Sequence, residues 1–183
     1  RDWVEKNAAA AKAFREALKV KTGREAELAY HEARSLGRLG KDDDAQKVYA
    51  EVARRHKATP WGERAAYQVA RTHLQRGKWD KAVGAYTKFL ADHAKGEKRA
   101  EAEYDLALAS LSAGKAALAK RTFEKLAQDK KNDEAAFMHE LAGVAALRAG
   151  ERDAAATAFS QVMKDAPLSF GAQAARARLA ALG

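Results

Sequence analysis

Cysteine is missing altogether from the 183 residues. That removes a disulfide framework, thiolate metal sites and a cysteine nucleophile together, while leaving the compartment open. Proline occurs twice, so few positions can break a helix. The abundance of Ala, Leu, Lys, Arg and Glu favours helix throughout. No apolar run approaches the roughly 18 residues that would span a bilayer, and no secretory leader pattern is visible. Because the chain starts at Arg1 rather than Met, it is expected to be a cut, trimmed or processed piece of a longer protein. Acidic residues are in deficit, 25 against 34 lysines and arginines, for a net charge of +9. Of this, +8 lies in the first 96 residues, and residues 134–183 are balanced. A basic first half suits anionic partners such as an acidic protein, an anionic cell-wall polymer, anionic lipid or nucleic acid.

The residues that carry catalysis are not arranged for it. His31, His56, His73, His93 and His139 show no i, i+4 pair, and His31-Glu32 and His139-Glu140 lack the second histidine of a zinc-protease helix. Gly40-Lys41 and Gly114-Lys115 lack the Ser or Thr and the upstream glycine of a phosphate loop. Asp42-Asp43-Asp44 lacks the central Gly and closing Glu of a calcium loop, and reads as the charged first turn of a helix. No serine sits in a nucleophile elbow. The expectation is therefore no catalytic residue, no metal and no cofactor: this chain is not an enzyme.

What the sequence does have is a period. Gly40, Gly77, Gly114 and Gly150 follow one another at 37, 37 and 36 residues. Five residues after each stands Ala45, Ala82, Ala119 or Ala155, and nine residues after stands Tyr49, Tyr86, Phe123 or Phe159. Seven residues before each stands Ala33, Ala70, Ala107 or Gly143. A fixed period of this length marks a stack of helix hairpins. Each glycine is expected to end a first helix in the left-handed conformation. Asp43, Asp80 and Asp153 should then cap or charge the start of the second helix, leaving the third repeat, with Ala117 there, the least well started. The alanines should mark close helix crossings and the aromatics should fill the space between hairpins. Polar connections are expected at 57–62, 94–98 and 130–133.

The run Gly77-Lys78-Trp79-Asp80-Lys81-Ala82-Val83-Gly84-Ala85-Tyr86, with Pro167 at the end of the last unit, resembles the tetratricopeptide repeat. The resemblance implies an all-α fold, a right-handed α-solenoid of about ten helices in a single domain over residues 1–183. Units are expected at about 1–22 (partial, with Ala10 and Phe14 in the alanine and aromatic places), 24–59, 61–96, 98–132 and 134–168, closed by a capping helix over 169–183.

Two stretches resemble something narrower. Residues 33–40 with Thr59-Pro60-Trp61-Gly62-Glu63-Arg64, and Asp165-Ala166-Pro167-Leu168-Ser169-Phe170 running into an Ala/Arg/Leu helix, look like the helical superhelix of soluble lytic murein transglycosylases. That resemblance implies a periplasmic scaffold that guides peptidoglycan or docks partners beside a catalytic domain. The Glu-Ser pair of that domain is absent from this chain. The alternative is a stand-alone adaptor that binds proteins or peptides in the cell envelope or the cytosol. An RNA-binding helical repeat ranks last, and nucleic acid is the disfavoured partner.

If function is binding, helical spacing selects the face. Tyr30, Tyr67, Tyr104 and Glu140 occupy one position of successive first helices, and Arg34, Arg71, Leu108 and Val144 lie one turn on. Tyr30, Arg34, Tyr67, Arg71, Tyr104 and Glu140 are the binding candidates. A tyrosine–arginine pair offers a stacking surface beside a cationic donor, suited to sugars, peptide carboxylates or bases. Tyrosine packing in the core is the competing role for the rings, so the arginines are the preferred contacts.

Overall fold

The computed structural model describes residues 2–20, 22–129 and 134–182. Of the polar connections expected, 130–133 lies outside the described residues. Ten helices are present among those described. The first five are α1 (Asp2–Ala17), α2 (Glu25–Arg38), α3 (Asp42–Arg55), α4 (Pro60–Gln75) and α5 (Trp79–Asp92). The rest are α6 (Arg99–Ser112), α7 (Ala116–Ala127), α8 (Ala135–Arg148), α9 (Arg152–Asp165) and α10 (Phe170–Ala180). No helix of the described residues is long and apolar enough to cross a membrane.

The period acts through the backbone. Gly40, Gly77, Gly114 and Gly150 have φ of 72°, 66°, 75° and 78°, the left-handed region that an L side chain enters only at a cost of roughly 1–2 kcal/mol. After each glycine the next amide turns back across the helix end. Lys41 donates to the Leu36 carbonyl, Lys78 to His73, Lys115 to Ser110 and Glu151 to Ala146, at 2.8–3.0 Å. These bonds satisfy carbonyls that a helix end leaves open. Each following helix starts two residues after its glycine, at Asp42, Trp79, Ala116 and Arg152.

The aspartates do something other than cap. The residues preceding α3, α5, α7 and α9 are Lys41, Lys78, Lys115 and Glu151, none with a side-chain cap. Asp43, Asp80 and Asp153 stand at the second helical position, where they complement the dipole. Two of them reach sideways, Asp43 to Arg76 at 2.7 Å and Asp80 to Lys115 at 2.7 Å. Helix α7, with Ala117 in that place, begins in the same register as the others, and Ala116 before it is buried. The glycine turn, rather than the acidic side chain, therefore sets where the second helix begins.

The chain divides into two compact units, residues 1–78 with 85–99, and residues 79–84 with 100–183. In the first, α1 packs on α2, α2 on α3 and α3 on α4, and α2 also meets α4. Its core gathers Ala33, Leu36, Ala45, Tyr49, Val52 and Ala65, with Tyr30 and Trp61 packed against it. In α1 the buried alanine is Ala11 rather than Ala10, and Phe14 stacks on His31 with centroids 5.6 Å apart. In the second unit α7, α8, α9 and α10 pack in sequence, and α8 also meets α10. Phe123 and Met138 lie at the centre of one cluster, and Phe159, Val162 and Ala175 form the other. The repeated small residues sit at the crossings: Ala33, Ala70, Ala82, Ala107, Ala119 and Ala155 are each 0% exposed.

Candidate functional site

In the first unit two first-type helices, α2 and α4, lie side by side, and a cleft of about 310 Å³ opens along them. Tyr30, His31 and Arg34 line it from α2, and Trp61, Arg64, Tyr67 and Gln68 from α4. Glu97 and Lys98 close one edge.

Local sequence places each part. Thr59 accepts the Gly62 amide at 3.1 Å and Pro60 takes the first helical position, so α4 starts sharply. Any side chain at Gly62 would run into the His56 carbonyl, which lets the preceding turn lie against the helix. Trp61 is thereby presented at the cleft. Glu63 reaches the other way and accepts the Lys98 amide at 2.9 Å. Gly96 has no side chain where the Glu63 carboxylate sits. That contact folds residues 94–98 over the start of α4 and brings Glu97 and Lys98 to the edge.

The floor is aromatic. Tyr30 lies 5.3 Å from Trp61 and 5.3 Å from Tyr49, centroid to centroid, and His31 lies 5.2 Å from Trp61. The Arg64 guanidinium covers the Trp61 ring at 5.0 Å and binds Glu97 at 3.1 Å. Arg34 is exposed and makes no hydrogen bond or ion pair among the described residues. Burial pushes the His31 imidazole below its ordinary pKa, and the Arg34 charge adds to this, partly offset by Glu27. Burial likewise pushes the Tyr49 hydroxyl up. The cleft thus offers flat rings, a neutral imidazole and more cationic than anionic side chains.

A second hollow of the unit has its charges engaged. A trough of about 350 Å³ between α3, α4 and α5 is lined by Ala53, Val69 and Phe89. There Arg54 binds Glu51 at 3.0 Å, while Lys57 and Lys88 bind Asp92 at 2.9 and 2.6 Å. Asp92 is accordingly pulled down to about 2.

Of the six candidates from the sequence, the cleft brings together Tyr30, Arg34 and Tyr67. Tyr67 is buried and turns its ring against Tyr86 and Phe89, 6.0 Å from each. Arg71 is exposed and is not among the residues lining the cleft. Tyr104 and Glu140 belong to the second unit. Tyr104 packs edge-on to Phe123 at 6.2 Å, and burial, with Glu134 and Asp105, raises its pKa. Glu140 accepts from Arg178 at 2.6 Å. Leu108 and Val144, one turn along from these two, pack against the core clusters. His31, Trp61, Arg64, Gln68, Glu97 and Lys98 were not picked out by the spacing. The Pro-Trp at a helix start, with Arg64 three residues on, was the available signal for two of them.

Residues 60–182, from the start of α4 through α10, match the sequence model of the YfiO family, described as outer membrane lipoprotein. No curated protein sequence matches the chain significantly. Similar solved structures include a tetratricopeptide repeat protein from Parabacteroides merdae, 19% identical with a TM-score of 0.70, covering 99% of this chain and 69% of that one. The MamA RS-1 double mutant is 21% identical with a TM-score of 0.64, covering 86% and 84%. BtubC from P. vanneervenii is 17% identical with a TM-score of 0.63, covering 99% and 82%. At these identities the likeness is one of fold: all-helical, of the tetratricopeptide type.

Proposed function

Because the chain belongs to the YfiO family of outer membrane lipoproteins, we propose that it is a non-catalytic protein-interaction adaptor of the cell envelope. Its α2–α4 cleft receives an acidic segment of a partner protein. One observation carries the ligand chemistry: the uncompensated Arg34 beside the Tyr30–Trp61 floor, with Lys98 at the edge and Glu97 turned to Arg64. A carboxylate of the partner meets Arg34 while its apolar or aromatic neighbour lies on the rings. The family match favours this adaptor over the helical domain of a lytic transglycosylase, since it supplies an envelope setting without a cell-wall enzyme.

The test is a titration of the full chain with a short Asp/Glu-rich peptide containing one tyrosine, against a control in which lysines replace the acids. Tryptophan fluorescence, with Trp3→Phe and Trp79→Phe in place so that Trp61 alone reports, and heat of binding are read at two salt concentrations. The acidic peptide should bind, with affinity falling as salt rises. Arg34→Ala should weaken it about tenfold, the effect of losing about 1.4 kcal/mol. Equal binding of both peptides, or no effect of Arg34→Ala, overturns the reading.

A further inference from the structure

The second unit holds a seat that the first unit fills. The repeat register carries Gly40 onto Gly150, a step of 110 residues. The same step carries Thr59 onto Ser169, and both act as caps, accepting the amides of Gly62 and Ala172 at 3.1 Å. It also carries Trp61 onto Gly171 and Tyr30 onto Glu140. In the first unit the Trp61 indole therefore occupies the seat against Tyr30. In the second unit Gly171 brings no side chain, and a hollow of about 260 Å³ lies there.

Its walls are apolar with an acidic side. Phe137, Val162 and Ala166 line it together with Glu134 and Glu140. Arg178 holds Oε1 of Glu140 at 2.6 Å. The other oxygen, Oε2, is the atom nearest the open position over Gly171, 3.1 Å from where a Cβ would stand. Around the hollow Phe137 is 45% exposed, and Leu168 and Phe170, on either side of the lining residue Ser169, are 98% and 89% exposed. The hollow is smaller than the roughly 300–1,000 Å³ of sites that enclose a drug-sized ligand, a size fit for one side chain.

We propose that this hollow is a receptor for one aromatic side chain of a partner protein, with a basic residue next to it. The ring takes the seat that Trp61 fills in the first unit, and the cation meets the Oε2 side of Glu140. Charge selects this occupant: Oε2 of Glu140, the oxygen that Arg178 does not hold, faces the seat and favours a cationic neighbour over an acidic one. Phe137, half exposed at the hollow, supplies further apolar surface beside the ring. The inference rests on the adaptor reading only in taking the ligand to be a protein segment, and its sign is opposite to that of the α2–α4 cleft.

The test titrates the full chain, labelled for amide NMR, with the peptide acetyl-Gly-Trp-Arg-Gly-amide. Two control peptides carry leucine for the tryptophan or glutamate for the arginine. Saturable shifts are expected at Phe137, Glu140, Val162 and Gly171, with both controls about tenfold weaker. Gly171→Trp should abolish the shifts by filling the seat from within. Glu140→Gln should weaken the arginine peptide several-fold and bring the arginine and glutamate versions closer together, while the preference for tryptophan over leucine stays. Neither variant should change binding of the acidic peptide at Arg34, so failure here is distinct from failure of the α2–α4 reading. If Gly171→Trp does not fold, as judged by its helical circular dichroism, Glu140→Gln and Phe137→Ser decide. Shifts elsewhere on the chain, equal affinity for the leucine peptide, or binding that survives in folded Gly171→Trp overturn the proposal. So does self-association of the chain that Gly171→Trp removes, since the occupant would then be a second copy.

Discussion

A Cβ on Gly143 would lie 2.6 Å from Cε1 of Phe159, and all three of its nearest neighbours would be atoms of that ring. The equivalent positions in the other repeats hold Ala33, Ala70 and Ala107, so the last hairpin crosses more tightly than a methyl group permits. Two effects compete in Gly143→Ala. Helix propensity favours alanine by about 1 kcal/mol, and overpacking costs about 1–3 kcal/mol. Phe159 is 0% exposed and has no room to swing away, so the clash wins. Thermal denaturation should show Gly143→Ala less stable than the wild type, and an unchanged or raised midpoint refutes the tight crossing.

Gly114 and Gly84 make the converse pair. Neither would bring a Cβ within 4 Å of another group, so packing is the same for both and only the backbone differs. Gly114 has φ of 75°, whereas Gly84 lies inside α5. Gly114→Ala should cost about 1–2 kcal/mol, and Gly84→Ala should gain about 0.5–1 kcal/mol. Urea denaturation of the two variants measures both signs. Equal shifts would mean that the left-handed turn does not hold the hairpin.

These contrasts explain what could be read from the sequence. The glycine, alanine and aromatic positions are single-residue requirements imposed by local geometry, repeated at one period, so they show in one dimension. The binding face is harder to read. Tyr67 shares its sequence position with Tyr30 but spends its ring on Tyr86 and Phe89. Glu97 and Lys98 reach the cleft only because Glu63, 35 residues before Lys98, holds its amide. The aspartates after each glycine looked like caps, yet Asp43 and Asp80 lie within the first helical turn and pair with Arg76 and Lys115. No spacing rule within a hairpin reveals a partner supplied by the next turn of the stack.

His31 gives the cleft a pH dependence of defined sign. It lies among Phe14, Tyr30 and Trp61, and burial, then Arg34, lowers its pKa, with Glu27 opposing and Arg24 and Arg64 adding a little. Its folded pKa is thus below the ordinary histidine value of about 6.5. The unfolded chain takes up the proton first as pH falls. The stability associated with neutral His31 is therefore present above about pH 6.5 and lost as pH drops through the lowered folded value. Denaturant melts at pH 7.5 and pH 5 should show a loss that shrinks in His31→Gln. A variant with the same pH profile as the wild type would remove His31 as the cause.

Trp61 and Arg34 should separate the two roles of the cleft, holding the fold and holding a ligand. The Trp61 ring touches Tyr30 and His31, carries Arg64 above it and packs on the core of the first unit. Its truncation leaves a void against buried Tyr49 and its neighbours. A fully buried aromatic costs about 3–5 kcal/mol on truncation to alanine, and Trp61, being half-buried, should cost less. Arg34 is exposed and bears on no packed surface, so its truncation should leave stability within about 0.5 kcal/mol. Trp61→Ala should therefore lower the thermal midpoint and weaken the acidic peptide together. Arg34→Ala should weaken the peptide alone, and Trp61→Phe should restore most of the stability by returning a ring to Tyr30. If Arg34→Ala lowers the midpoint as far as Trp61→Ala does, the arginine is part of the scaffold and the cleft loses the cation assigned to its ligand.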